Sequence, residues 1–256
     1  MRRIAFISHS GGLDSTTILY RLLHEGTFVY TINFDYGQNN DIEIQTQNRI
    51  IDNIKSNEKI SKYFKGNLKL DITSITNALA QVKTMQGVNG EIKDNTGHEY
   101  YFPFRNLVFA SLTSMLAESL ILELKKDPDE LFEVCIVLGI HKHTDIYSKQ
   151  YWDVTPEFSK ALDAILHLNS DFKNCEFKIF APYENEYKSA IVDDVVKYNV
   201  PWELTTTCYN PQRRGINYIP CKECEACLER ENGAKESQIW LSKYSTSLKI
   251  NEYIIS

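Results

Sequence analysis

Residues 8–16 read Ser-His-Ser-Gly-Gly-Leu-Asp-Ser-Thr, and an apolar-periodic stretch follows directly. A helix that starts here turns unpaired backbone N–H groups and a partial positive charge toward whatever lies before it, a setting that suits phosphate. Gly11 and Gly12 carry no Cβ, so the backbone can bend sharply and come close to a ligand. Ser10, Ser15 and Thr16 add hydroxyl donors, and the candidate nucleotide-contacting set is Ser8, Ser10, Gly11, Gly12, Leu13, Asp14, Ser15 and Thr16. Asp14 is the odd member, because a carboxylate repels phosphate unless a cation lies between them. Mg²⁺, which bridges carboxylate and phosphate oxygens, is the natural candidate. The stretch matches neither the GxxxxGK[ST] loop nor GxGxxG.

A second constellation lies near the other end. Cys208, Cys221, Cys224 and Cys227 form C-x12-C-x2-C-x2-C. Cysteines two residues apart let several thiolates converge on one ion, and four thiolates fit tetrahedral zinc with no open position. The metal is then structural, pinning a loop with little core of its own; an iron–sulfur cluster is the alternative. Cys135, in an apolar run, and Cys175 read as packing or surface thiols.

Strands alternating with helices must position these groups. Residues 3–8, 27–34, 67–73, 131–140 and 176–182 read as strands; 16–24, about 40–62, 105–126, a stretch opening at Thr155-Pro156, and 187–199 read as helices. The almost wholly apolar 131–140 suits a strand covered on both faces. Three glycines and two asparagines between Thr84 and His98 mark a mobile loop or lid. Alternation of this kind implies a doubly wound, mostly parallel α/β sheet. The texture changes near residue 203, so residues 1–202 are expected to form the α/β domain and 203–256 a small cysteine-bearing module and tail.

The 256-residue chain is 43% hydrophobic and 24% charged, with a formal net charge of −6. Those are the proportions of a soluble globular protein. The acidic balance argues against direct nucleic-acid binding, which normally shows a basic excess. The short apolar run after Met1-Arg2-Arg3 does not read as a signal peptide, and no window is expected to reach the roughly 20 apolar residues that span a bilayer. The expected location is the cytoplasm, with no membrane association, where thiols stay reduced or hold metal.

SGGLDS resembles the pyrophosphate loop of the N-type ATP pyrophosphatases, and loop and cysteines together resemble the 7-cyano-7-deazaguanine synthase family, QueC. Further stretches agree in order: "FDYGQ" (34–38) with Glu43 downstream, "YFPFRN" (101–106), "LGI" (138–140) leading to Asp145, Tyr147-Ser148, Tyr151, Asp153 and Pro156-Glu157-Phe158, "APYENEYKSAIV" (181–192) with Lys188, "TTTCYNP" (205–211) and "CKECEACLER" (221–230). The resemblance implies an adenine-nucleotide alpha-hydrolase-like fold, ATP, Mg²⁺ and Zn²⁺, and a homodimer. It also implies adenylation of 7-carboxy-7-deazaguanine, displacement of AMP by ammonia, and a second adenylation that dehydrates the amide to the nitrile. On that resemblance Asp14, Lys188 and Arg105 are the catalytic candidates. Tyr36, Gln38, Asn106, Asp145, Tyr151 and Asp153 are the substrate-binding ones.

The chain also departs from the family's pattern. Val154 and Thr155 stand where Cys and Arg are usual, the Gly and Pro of Ser-Gly-Tyr-Pro are replaced, Asn39-Asn40 replaces Arg-His, and "PQRRGINYI" lengthens the cysteine spacing. Loss of an arginine removes a potential bidentate carboxylate contact. The departures fall on the acceptor side and motivate an alternative: a paralogue of a phage-defence system that passes the activated acyl group to another amine, possible on a protein. His141 and His143 are candidate bases or ligands in such a site, and Arg213 and Arg214 candidate partner contacts. A tRNA-thiolating pyrophosphatase and a non-enzymatic nucleotide-binding subunit are the other classes; the acidic chain disfavours the former, and the intact SGGLDS, Lys188 and Arg105 the latter.

Overall fold

The structure is a computed structural model that describes residues 1–36, 41–80, 104–124, 129–142, 152–168, 175–214 and 217–244. Five strands, β1 (Arg2–Ser8), β2 (Phe28–Asp35), β3 (Phe64–Asp71), β4 (Phe132–Val137) and β5 (Cys175–Phe180), form one sheet in the order β3-β2-β1-β4-β5. Every pairing is parallel. Between them run α1 (Leu13–His24), α2 (Asp41–Ser56), α3 (Thr73–Ala80), α4 (Arg105–Leu124) and α5 (Pro156–Leu168), and after β5 come α6 (Lys188–Lys197), α7 (Glu225–Glu236) and α8 (Gln238–Tyr244). A short antiparallel pair, β6 (Gln212–Arg214) and β7 (Asn217–Ile219), lies between α6 and α7. This is the doubly wound α/β fold that the strand–helix alternation predicts.

Central β1 shows why the sheet needs cover on both sides. Ala5 and Ile7 point into an apolar cluster with Ile18, Leu22, Ile50, Ile191 and Val195, while Ile4 and Phe6 point into another with Ala117, Ile121 and Phe177. Two-residue periodicity thus splits one strand between two cores. Edge strand β3 alternates half-buried and exposed side chains instead. Trp240 of α8 and Ala234 of α7 enter the same cluster as Ile7, so the chain after residue 203 packs onto the sheet's first face through α6.

Several element limits differ from the sequence expectation. The helix expected over about 40–62 ends at Ser56, where the Asn57 carbonyl accepts the N–H groups of Ile60 and Ser61 and its side chain accepts that of Lys59. Asparagine competes with the helix by such local bonds. The apolar run 131–140 is strand only to Val137, and α3 occupies residues with no assigned element in the sequence reading. Thr155 does open α5: its hydroxyl oxygen accepts the Phe158 N–H at 3.3 Å, with Pro156 in the first helical position. The expectation about bilayer-length windows is corrected by α4, 20 residues long, in which an 18-residue window has a mean hydropathy of 1.6, enough by length and composition to cross a bilayer. Here Ala110, Thr113, Ala117 and Ile121 of α4 are buried, with Ala117 and Ile121 in the second core, so the helix serves as the sheet's cover. The segment 84–98 read as a loop or lid lies outside the described residues.

Candidate active site at the carboxyl ends of the strands

Chain direction reverses its progress across the sheet between β1 and β4, and ligands of open α/β sheets bind beside the carboxyl ends at such a point. The loop after β1 and the loop after β4 meet here. A Cβ on Gly139 would sit 3.5 Å from the Ser15 amide nitrogen. Helix α1 starts at Leu13, three residues before the sequence expectation, with Gly12 in the capping position and no side chain capping it. The earlier start places Asp14 and Ser15 in the first turn, where backbone N–H groups have no partner within the helix.

Gly11 has φ +82°, and a Cβ there would lie 2.6 Å from Thr46 Cγ2 of α2, so conformation and space both require glycine. Gln47, one residue on, donates to the His9 carbonyl at 2.8 Å and accepts from Asn33 at 2.8 Å. From the other side the Thr206 N–H donates to the Gly11 carbonyl at 3.1 Å. The loop is therefore held rigid by α2 and by the segment that leads to Cys208. Within the candidate nucleotide set, Ser10 is exposed, Ser8 and Ser15 are half-buried, and the Leu13 side chain lies in the core, leaving only its backbone to the cradle. Thr16 is buried and its hydroxyl is hydrogen-bonded to His9 Nε2 at 3.0 Å. Burial holds that imidazole's pKa down to about 4, so His9 is neutral.

Asp14 leads the charged group. Lys188 Nζ donates to Asp14 Oδ1 at 2.6 Å, although 174 residues separate them. Lys188 is the first residue of α6, where a cation opposes the helix dipole, and it is only 8% exposed. Buried His141 lies with Nε2 3.5 Å from Asp14, 3.5 Å from Glu229 of α7 and 3.4 Å from Lys188 Nζ. Glu229 also comes within 3.7 Å of Lys188. Burial lowers the His141 pKa, and Lys188 lowers it further, but the carboxylates of Asp14 and Glu229 outweigh both and the net shift is upward. Two carboxylates, an ammonium and an imidazole thus cluster at the mouth of the N–H cradle.

A second group forms where α4 begins. Tyr36, just after β2, is half-buried and hydrogen-bonds Arg105; desolvation, with Glu43 nearby, raises its pKa to about 12 despite the arginine. Next to Arg105, the Asn106 side chain donates to the Asp153 carbonyl at 2.9 Å and its backbone N–H donates to the Asp153 carboxylate at 3.3 Å. Phe104 precedes them with φ 57°, strained for a bulky side chain, and its ring meets Trp152 edge-on at 5.2 Å. Tyr36, Arg105, Asn106 and Asp153 thus come together in two adjoining pairs. Gln38, Asn39, Asn40, His143, Asp145, Tyr147, Ser148 and Tyr151 lie outside the described residues, as do the side chains of Arg213 and Arg214.

The four cysteine sulfurs lie within 4.8 Å of one another. Tetrahedral Zn–S bonds of about 2.3 Å imply sulfur separations of roughly 3.8 Å, so this donor set fits zinc. The N–H groups of Cys221 and Cys224 donate to Cys208 Sγ and Cys221 Sγ at 3.2 and 3.3 Å. Burial raises the Cys221 pKa, but N–H donors from Glu223 and Cys224 outweigh it and bring the thiol down to about 7. Cys224 caps α7, and Arg230, one turn beyond Cys227, donates to the carbonyls of Thr205 and Trp202. The cysteine cluster therefore ties α7 to the segment that supports Gly11.

Glu229, Gln47 and His9 are site residues that the sequence reading missed. Helical spacing offers a signal for Glu229, an acid on the face shared by the small residues Ala226 and Gly233, three residues before it and four after.

The family model for "Queuosine biosynthesis protein QueC" matches residues 4–238. Proteins named 7-cyano-7-deazaguanine synthase are similar along most of their length. The Thermoplasma volcanium protein is 32% identical over 99% of this chain and 93% of its own. The one from Acetivibrio thermocellus is 32% identical over 93% of this chain and 96% of its own, and the one from Leptospira interrogans 29% over 92% and 88%. With the loop, Lys188 and the four cysteines all in place within the matched span, the chain belongs to the QueC family.

Proposed function

We propose that the chain is an ATP-dependent carbon–nitrogen ligase that activates the carboxylate of 7-carboxy-7-deazaguanine. A carboxylate oxygen attacks the α-phosphorus of ATP, the bond to the β-phosphate oxygen breaks, and diphosphate leaves. Ammonia then adds to the acyl adenylate, loses a proton, and expels AMP to give the amide. The amide oxygen attacks the α-phosphorus of a second ATP and diphosphate leaves; the resulting imidate adenylate then expels AMP and gives up both N–H protons, leaving the nitrile. The observation that carries this reading is the pairing of Asp14 with buried Lys188 in front of the free N–H groups of α1. Lys188 answers the growing negative charge on the departing diphosphate, and the N–H groups bind its oxygens.

Asp14 is the residue suited to hold Mg²⁺, which when bound offsets phosphate charge. Arg105 serves the phosphates or the substrate carboxylate, and Tyr36, Asn106 and Asp153 position the deazaguanine. The cysteines hold zinc as a structural ion. A functional division at residues 202 and 203, a homodimer and a cytoplasmic location belong to the same reading; the exposed Met115 and Leu122 on apolar α4 support association between copies.

Incubation with ATP, Mg²⁺ and 7-carboxy-7-deazaguanine, with and without ammonia, tests it by mass spectrometry. Nitrile and AMP are expected only when all are present; without ammonia the reaction stops at acyl adenylate and diphosphate. Acyl adenylate or amide accumulating without nitrile when ammonia is present points to transfer onto another amine, as in the defence alternative. AMP release indifferent to the deazaguanine overturns the proposal.

A further inference from the structure

Helix α7 does more at this site than follow the cysteines. Its residues 229 and 233 are one turn apart and face the same side chain, since i and i+4 share a helix face. Glu229 meets the head of Lys188, with Oε2 3.7 Å from Nζ. Gly233 meets the stem: a Cβ there would lie 2.7 Å from Lys188 Cγ, 3.0 Å from its Cβ and 3.2 Å from its backbone carbonyl carbon. Those atoms are the fixed root of the side chain and the backbone of α6, so they cannot swing aside as a chain tip would. Gly233 is buried in the interior of α7, where glycine weakens a helix. Its φ is not in the left-handed region, so space rather than backbone conformation requires glycine here.

We infer that Gly233 and Glu229 are positioning residues for Lys188, with Gly233 the slot that lets the stem pass and Glu229 the second carboxylate that holds the amine at the cradle. The inference rests on the reading above that Lys188 serves ATP, and it gives the cysteine module a place in the active site. Cys224 caps α7, and Arg230 fixes the helix to Trp202 and Thr205 through two carbonyls and the Trp202 ring at 4.0 Å. The neighbouring Thr206 supports Gly11. One anchored unit therefore sets both the loop and the lysine that faces it.

Single-turnover AMP formation from ATP, Mg²⁺, ammonia and 7-carboxy-7-deazaguanine tests this in the full chain, alongside thermal melting and ATP titration by calorimetry. Misplacing a catalytic group by about 1 Å costs on the order of 100-fold, so Gly233→Ala should slow AMP formation by roughly 10- to 100-fold. Lys188→Ala should slow it as well. Adding Gly233→Ala to Lys188→Ala should then cost less than it does alone, because the closest contact, Cγ at 2.7 Å, is gone while Cβ and the carbonyl carbon stay. A Gly233→Ala penalty that persists in full beside Lys188→Ala overturns the slot, because it then acts through the fold. Should Gly233→Ala lose its melting transition, Glu229→Ala decides: AMP formation about threefold slower at an unchanged melting temperature supports the inference, and an unchanged rate overturns it. Normal rates in Gly233→Ala and Glu229→Ala beside a slow Lys188→Ala refute the positioning role alone. A normal rate in Lys188→Ala refutes the reading of Lys188 and the inference with it.

Discussion

Lys188, Asp14, His141 and Glu229 meet from α6, α1, the loop after β4 and α7, and Lys188 and His141 are almost wholly buried. Arg105, Asn106 and Asp153 meet instead at one helix start, introduced by a strained Phe104 and braced by the ring of Trp152, which is 43% exposed. The first group is fixed by four elements packed on the sheet, so a change in any one is resisted by the others. The second is fixed by α4 and a short turn at 152–154, and can be retuned by altering that turn. This difference suits a shared ATP reaction with a variable acceptor. Thr155 caps α5, and its hydroxyl donates to the Trp152 carbonyl, so this one residue shapes the turn.

If the two groups divide the work in this way, Asp14→Ala has the largest effect. ATP-to-AMP turnover, followed by diphosphate release, should fall by at least about 10²- to 10³-fold, the scale on which a single electrostatic contact to a transition state acts. Near-normal turnover would move ATP chemistry away from this cluster. Removing the metal comes next, because the cysteines anchor the module that touches both Gly11 and Lys188. Cys224→Ser, or strong chelation, should release zinc measurable by elemental analysis. It should also lower the melting temperature by roughly 5–10 °C, equivalent to a few kcal/mol for a chain of this size. ATP affinity should weaken in parallel; if melting falls while ATP affinity holds, the module acts on the fold and not on the site.

Asn106→Ala sharpens the contrast from the other side. It removes the 2.9 Å bond to the Asp153 carbonyl and leaves the Asp14 group intact. The KM for 7-carboxy-7-deazaguanine should rise about tenfold, or about 1.4 kcal/mol, while ATP affinity is unchanged. A parallel loss of ATP affinity would mean that the two groups are one.

The same contrast governs what could be read before the structure. Ser10 to Thr16 and the four cysteines lie within short spans, so spacing alone discloses both the cradle and the metal cluster. Parallel strands are legible because apolar runs alternate with amphipathic helices. What escapes is whatever depends on distant segments meeting. Glu229 looks like one charge in a charge-rich helix until α7 is laid against α6, and Gly233 looks like a helix defect until the Lys188 stem is beside it. Gln47 sits in a polar helix, and nothing local shows that its amide supports His9. Helix α1 begins three residues before Thr16 because Leu13, beside two glycines in the sequence, is wholly buried and takes the first helical position.

The smallest predicted effect is the most discriminating for the charged cluster. His141 has its pKa raised above its usual 6.5: burial and Lys188 pull it down, and Asp14 and Glu229 push it up by more. A group whose folded pKa exceeds its unfolded one stabilises the fold fully below the unfolded value and loses that contribution as pH rises through the folded value. The melting deficit of His141→Gln relative to the native chain should therefore be largest below pH about 6.5 and shrink as pH rises above it. Tyr36, pushed up to about 12, stays neutral across that range, so the KM for the deazaguanine should not follow the same curve. A deficit that grows with pH would mean that burial wins and the imidazole is neutral. Asp14 and Glu229 would then face Lys188 as the sole charged partner among these four residues.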